Sequence, residues 1–158
     1  MKILIRKKCL CCNNTNLKEI INLGNHSFAD RFIPKNKLKI KDPQYPLILD
    51  LCDNCKYVQS RYITDPKNRY VSIDYSYTSS NSNYSKNHWI DFANSLEKKT
   101  KLQNKKIIEI GSNDGFLSYQ LKKKGAHVLG VDASEFMVKL SKKKINAIQS
   151  IFTLKESK

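Results

Sequence analysis

Two cysteine pairs of identical spacing constrain this chain more than any other feature. Cys9 and Cys12 form one C-x-x-C, within "CLCC", and Cys52 and Cys55 form another, within "CDNC". Two intervening residues let both sulfurs of a pair point at one ion from a tight turn, and two such knuckles complete a tetrahedral site. Buried unliganded thiols give no reason for a repeated spacing. The spacing therefore predicts structural zinc, held by Cys9, Cys12, Cys52 and Cys55. Four thiolates on Zn²⁺ leave a charge of about −2, which Lys7, Lys8 and Lys56 are placed in sequence to offset. A closed four-sulfur site has no position for water, so it builds structure rather than catalyses. Cys11 falls outside the two-residue spacing and is read as a free thiol.

The zinc reading presumes reduced thiols. No stretch approaches the ~18 consecutive apolar residues of a membrane span. The start, "MKILIRKKCL", has too short an apolar run for a signal peptide and no small-residue cleavage site. Both features point to the cytoplasm, where cysteine clusters are more often metal sites than disulfides.

Three regions are expected: a zinc-binding module over 1–62, a tyrosine- and serine-rich segment with a helix over 63–104, and an α/β region over 105–158. In the first, "YPLILDLC" reads as a strand in which Tyr45, Leu47, Leu49 and Leu51 form the buried face. In the second, Trp89, Phe92, Ala93 and Leu96 recur at helical spacing after Ser82 and Ser85, either of which can cap the helix. The third alternates. "KIIEI" and "HVLGVD" are strands, "FLSYQLKKK" and "SEFMVKLSKKK" are helices closed by Gly125 and opened by Ser134, and "NAIQSIFT" is a third strand. Strand–helix alternation argues for β-α-β units and a parallel sheet. The fold class expected is thus α/β, with a small β-rich zinc module leading into the first part of a Rossmann-like parallel sheet.

The connection between the first strand and helix, "EIGSNDG", carries the chemistry. Glu109 ends the strand, Gly111 and Gly115 frame the turn, and the second strand ends in Asp132. An acid at that tip is placed to hydrogen-bond ribose hydroxyls. The G-x-G-x-x-G fingerprint of a dinucleotide site is missing, and Asn113 and Asp114 occupy the loop instead. A carboxylate facing a pyrophosphate repels it. S-adenosylmethionine, with a sulfonium and an ammonium, suits Glu109 and Asp114 better than NAD.

The net charge of +15 is spread along the chain rather than gathered on one arm or stripe, as a nucleic-acid site requires. The lysine triplets at 122–124 and 142–144 fall late in the expected helices, where they suit the helix dipole. Nucleic acid is thus an unfavoured partner. A basic zinc-ribbon module that binds it is the competing reading, and such a module has no use for the glycine loop.

"IIEIGSNDGFL" followed by "VLGVDAS" resembles the first two motifs of class I S-adenosylmethionine-dependent methyltransferases. Together with the two C-x-x-C pairs, "LGNHSFADRFI", "YPLILDLCDNC" and "YSYTSSNS", the chain resembles the sugar-nucleotide C-methyltransferases of deoxysugar biosynthesis. The resemblance implies the four cysteines as zinc ligands, Glu109, Gly111, Asn113 and Gly115 around the methionyl part of the cofactor, and Asp132 at its ribose. It implies a nucleotide-linked 4-ketosugar as substrate, deprotonated beside the ketone before methylation, with another small metabolite as the alternative acceptor. Tyr75, Tyr77 and Ser79 match the segment that closes over cofactor and substrate. Their other reading is a polar loop. His88 sits where that family often has histidine, and on a helix beside Trp89 it also reads as a packing residue. The family's sheet has seven strands and this chain supplies three. Its catalytic base and sugar-binding residues lie beyond Lys158, so the expectation is a truncated, split or fragmentary chain, with a second polypeptide supplying the rest.

Overall fold

The computed structural model describes residues 3–29, 32–71, 77–154 and 157. It divides into two compact units, Met1–Arg69 and Tyr70–Lys158. The described strands of the first unit are β1 (Ile3–Ile5), β2 (Leu17–His26), β3 (Tyr45–Cys52), β4 (Val58–Ser60) and β5 (Tyr62–Thr64). β2, β3 and β4 form an antiparallel sheet in that order, and β1 pairs antiparallel with β5. That last pairing carries the unit past residue 62.

The alternation expected of β3 is present with its phase reversed. Ile48, Asp50 and Cys52 are buried with Tyr45, while Leu47 is exposed and Leu49 and Leu51 are half-buried. The cysteine decides the phase. Cys52 turns inward with the other sulfurs, and the period of two carries residues 50 and 48 to the same face. A buried aspartate is tolerable only when paired. Arg61 supplies the partner: its Nε lies 3.1 and 3.0 Å from the two Asp50 oxygens, and its Nη2 lies 2.5 Å from Oδ1. The same guanidinium reaches Glu19 on β2 at 2.8 Å. Tyr45 is buried from the other phase because its ring stacks on Phe28, with centroids 4.2 Å apart.

The second unit contains α1 (Asn83–Thr100), β6 (Lys106–Ile110), α2 (Phe116–Lys123), β7 (His127–Asp132), α3 (Glu135–Ser141) and β8 (Asn146–Gln149). Its strands pair in parallel in the order β6-β7-β8. The expected caps are in place: Ser82 Oγ accepts from Ser85 N–H at 3.1 Å, and Ser134 Oγ accepts from Met137 N–H at 3.3 Å. At the end of α2, Gly125 has φ +85°. Its N–H donates to the Lys122 carbonyl while Ala126 N–H donates to that of Leu121. This is the double bond of a Schellman stop, which needs a left-handed residue. The core gathers Ala93 from α1, Leu102, Leu121 from α2 and Ala126, flanked by Leu96, Leu117 and the strand residues Ile107 and Val128. Each burial of a leucine-sized side chain contributes about 1.5–3 kcal/mol. The opposite sheet face is more open, with Ile108, Ile110 and Ile148 exposed. Among the described residues no helix is long and apolar enough to cross a membrane.

Candidate functional site

Both cysteine knuckles are built the same way. In the first, Asn13 N–H donates to the Cys9 carbonyl at 3.0 Å; in the second, Lys56 N–H donates to that of Cys52 at 2.9 Å. The residue after each pair is left-handed, Asn13 at φ +59° and Lys56 at φ +61°. That sharp reversal turns two sulfurs of each loop to one side. The Sγ atoms of Cys9, Cys12, Cys52 and Cys55 all lie within 4.8 Å of one another. Cys9 to Cys55 measures 3.5 Å and Cys12 to Cys52 3.6 Å. A zinc tetrahedron with Zn–S near 2.3 Å has edges of about 3.8 Å, so the cluster fits the ion. Cys11 is exposed and outside it.

Four sulfurs this close work against one another as thiols. Cys12 is drawn down to about 6, first by a backbone hydrogen bond from Asn14 and then by the Asn54 amide. Cys55 is pushed up to about 12. The Tyr57 N–H favours its thiolate, but desolvation and the neighbouring Cys12, Cys9 and Cys52 outweigh that bond. A bound dication removes the conflict by stabilising all four thiolates at once. The sulfur charge is met by N–H groups: Cys11 N–H donates to Cys9 Sγ at 3.4 Å and Asn54 Nδ2 to Cys12 Sγ at 3.6 Å. Of the three lysines expected to offset it, Lys7, Lys8 and Lys56, the last turns instead to the Asp53 carbonyl at 2.6 Å. Gln59, buried on β4, was not singled out in the sequence. It fastens the first knuckle by accepting from Leu10 N–H at 2.9 Å and donating to the Lys8 carbonyl at 3.1 Å.

In the second unit the loop after β6 lies beside the end of β7, because Gly111 and Ser112 N–H both bond the Val131 carbonyl, at 2.8 and 3.0 Å. Gly111, Asn113 and Gly115 all have positive φ, of +74°, +51° and +73°. Gly115 is also sterically required, since a Cβ there would stand 2.8 Å from Ser141 Cβ. The loop brings three carboxylates together. Glu109 Oε2 accepts from both the N–H and the hydroxyl of Ser118 at the start of α2, at 3.1 and 2.5 Å. Burial raises its pKa against those bonds, and Asp114 and Asp132 raise it further. Asp132 accepts from Asn113 N–H and Ser134 N–H, each at 2.8 Å, and so holds the loop to the start of α3. Asp114 is 3% exposed. It accepts from Phe116 N–H at 3.2 Å and from the Ser80 hydroxyl, and Lys144 Nζ lies 3.9 Å away.

Tyr77 and Ser79 come to this loop through backbone rather than side chain. Asn113 Nδ2 donates to the Tyr77 carbonyl at 2.9 Å and its Oδ1 accepts from Ser79 N–H at 2.8 Å. The Tyr77 ring is exposed. His88 is exposed on α1 and packs edge-on against Trp89, with centroids 4.9 Å apart. Tyr75 lies outside the described residues. Ser80, Ser118 and Lys144 were not foreseen, since nothing in a lone serine or lysine marks it for a partner 9 to 34 positions away. Ser112 adds a buried hydroxyl with no hydrogen-bond partner among the described residues.

Residues 9–70 match the family model Methyltransf_13, described as "Putative zinc binding domain". No curated protein sequence matches the chain. Among solved structures, a SAM dependent methyltransferase from Archaeoglobus fulgidus is similar over 39% of this chain, at 22% identity and a TM-score of 0.33. The chain spans 29% of that protein's length. The family match begins on Cys9 and contains all four clustered cysteines. The first unit is a zinc-binding β module. With the parallel sheet of the second unit, the fold is mixed α/β of the kind found in part of a Rossmann-like domain.

Proposed function

We propose that this chain is the zinc- and cofactor-binding part of an S-adenosylmethionine-dependent C-methyltransferase whose acceptor is a nucleotide-linked 4-ketosugar. One observation carries the cofactor reading: Glu109, Asp114 and Asp132 converge on the glycine loop, and the charge of the latter two opposes ionisation of the first. A cationic ligand relieves that opposition, whereas a pyrophosphate deepens it. The residues fit such a ligand. Glu109 Oε2 takes both Ser118 bonds, which leaves Oε1 available to an ammonium. Each Asp132 oxygen accepts one backbone N–H and keeps a lone pair for a ribose hydroxyl. Asp114 is committed to α2 and Ser80, so its part is the field it adds rather than a direct contact.

When bound, the cofactor supplies a methyl group on a positive sulfur. The chain's own residues hold and orient the ligand: Gly111 lets the backbone pass close, Glu109 presents a carboxylate, and Asp132 fixes the loop it also lines. The zinc module does no chemistry here, because its four-sulfur site is closed. The 4-ketosugar acceptor rests on the resemblance of the whole chain to the sugar C-methyltransferases, and the family match over residues 9–70 supports the zinc-binding module alone.

Calorimetry with S-adenosylmethionine, its homocysteine product and NAD tests the cofactor. Either sulfur ligand is expected to bind more tightly than NAD, and equal or tighter NAD binding refutes the reading. Asp132→Ala should weaken binding by about 1–3 kcal/mol, the cost of leaving hydroxyls unpaired. Labelled methyl transfer to a panel of 4-ketosugar nucleotides and other small acceptors tests the substrate.

A further inference from the structure

Three of the four hydrogen-bonding positions of the Asn113 amide are taken up within the chain itself. Its Oδ1 accepts from Ser79 N–H and from Asp114 N–H, each at 2.8 Å. Its Nδ2 donates to the Tyr77 carbonyl at 2.9 Å, and its backbone N–H donates to Asp132 Oδ2 at 2.8 Å. Next to it, Asp114 takes the Ser80 hydroxyl. One asparagine thus holds the acid at the tip of β7 by its backbone N–H, and a stretch of chain 34 to 36 residues earlier by both ends of its amide.

We infer that Asn113 is a positioning residue: it clamps the backbone of residues 77–80 against the glycine loop, so that this stretch forms one wall of the ligand site. An amide is the side chain this task demands, because a single group must accept from one backbone N–H and donate to a carbonyl two residues away. Asparagine also tolerates the left-handed backbone found here, at φ +51°. Tyr77 and Ser79 then serve through where their backbone is held. The ligand arm of this inference rests on the cofactor reading above; the clamp itself does not.

The experiment uses amide exchange by NMR on the full chain together with calorimetry of the homocysteine product. Asn113→Gly removes the amide while easing the left-handed backbone, so strain does not mimic loss of the clamp. The Ser79 amide should exchange about tenfold faster or more in this variant, with the β7 amides as protected as before, and product affinity should fall about tenfold. Asn113→Asp keeps the acceptor and loses the donor, so it should retain most Ser79 protection. Unchanged Ser79 exchange in Asn113→Gly overturns the clamp. Faster exchange with unchanged product affinity overturns its positioning role. If the native chain binds no product, the cofactor reading fails, and the exchange measurement alone still decides whether Asn113 holds the segment.

Discussion

The two units solve the same local problem by opposite means. Each builds a site from tight left-handed turns, at Asn13 and Lys56 in the first and at Gly111, Asn113 and Gly115 in the second. What holds those turns differs. In the first unit the buried apolar side chains among the described residues are Tyr45, Ile48 and two of the clustered cysteines, Cys9 and Cys52. In the second they are Ala93, Leu102, Leu121, Ala126, Val131, Met137, Val138, Ile145 and Ala147. One site is its unit's centre of stability, while the other is packed against a core made elsewhere. Small modules that cannot bury enough apolar surface commonly depend on a metal.

The sharpest way to break the comparison is to remove the metal. Cys52→Ser deletes a ligand that is also a core side chain, and structural zinc contributes about 10–16 kcal/mol of apparent binding free energy. The first unit should unfold cooperatively, losing amide protection across β2, β3 and β4. The β6–β8 amides should keep theirs. Metal analysis should fall from one equivalent of zinc to a small fraction, and a strong chelator should reproduce the result in the native chain. A folded first unit without metal would show that the small apolar core suffices.

The corresponding break in the second unit is Gly115→Ala. A Cβ there meets Ser141 Cβ at 2.8 Å and Ile145 Cδ1 at 3.1 Å, at a φ of +73°. Left-handed strain adds about 1–2 kcal/mol and the overpacked contact about 1–3 kcal/mol. Chemical denaturation followed on α2 and α3 should show the second unit destabilised by on the order of 3 kcal/mol, with zinc content unchanged. No measurable loss would mean that the loop relaxes away from α3.

These differences also explain what was legible in the sequence. The cysteine cluster could be read directly, because a metal imposes its spacing on the residues themselves. The β-α-β order and both serine caps were equally local, set by periodicity and by a single hydroxyl within one turn. The phase of β3 was not: leucines at 47, 49 and 51 outvote one isoleucine by pattern, and only the inward demand of Cys52 and the Asp50–Arg61 pair reverse them. The loop's internal bonding was also hidden. Asn113 and Asp114 read as ligand contacts because their partners, Ser79 and Ser80, lie 34 positions away. Polar side chains announce a need for partners and not who the partners are.

Glu109 gives a smaller and more selective test of the second unit. Its folded-state pKa is raised, chiefly by burial and then by Asp114 and Asp132, against the bonds from Ser118. The stability it contributes is therefore full below the ordinary carboxylate value of 4.5 and is lost as pH rises through the folded value. Glu109→Gln keeps an oxygen for Ser118 and removes the charge. It should match the native second unit at pH 4 and become the more stable of the two by pH 7, by a few degrees in midpoint. Reporting on β7 amides avoids confusion with zinc loss at low pH. The same variant should bind the cofactor more weakly, since the charge that costs stability is the one that meets the ligand. A stability difference that does not change with pH would show that burial and the neighbouring carboxylates do not raise the Glu109 pKa.

The smallest effect expected belongs to Cys11, and it separates side chain from backbone within a single knuckle. Its thiol is exposed and outside the four-sulfur cluster, so Cys11→Ser should change stability by no more than about 0.5 kcal/mol. Its backbone N–H, however, donates to Cys9 Sγ at 3.4 Å. A hydrogen bond of this kind stabilises a bound thiolate by lowering its excess charge, and it also fixes the direction of the sulfur. Cys11→Pro removes that donor while leaving all four ligands in place. Zinc affinity, read by competition with a chelating dye, should be unchanged in the serine variant and weakened about 10-fold or more in the proline variant. Equal affinities in the two would mean that the sulfur cluster needs only its ligands. The expected split would show that the first unit, like the second, has its site oriented by backbone donors, with the metal supplying the stability that a core supplies elsewhere in the chain.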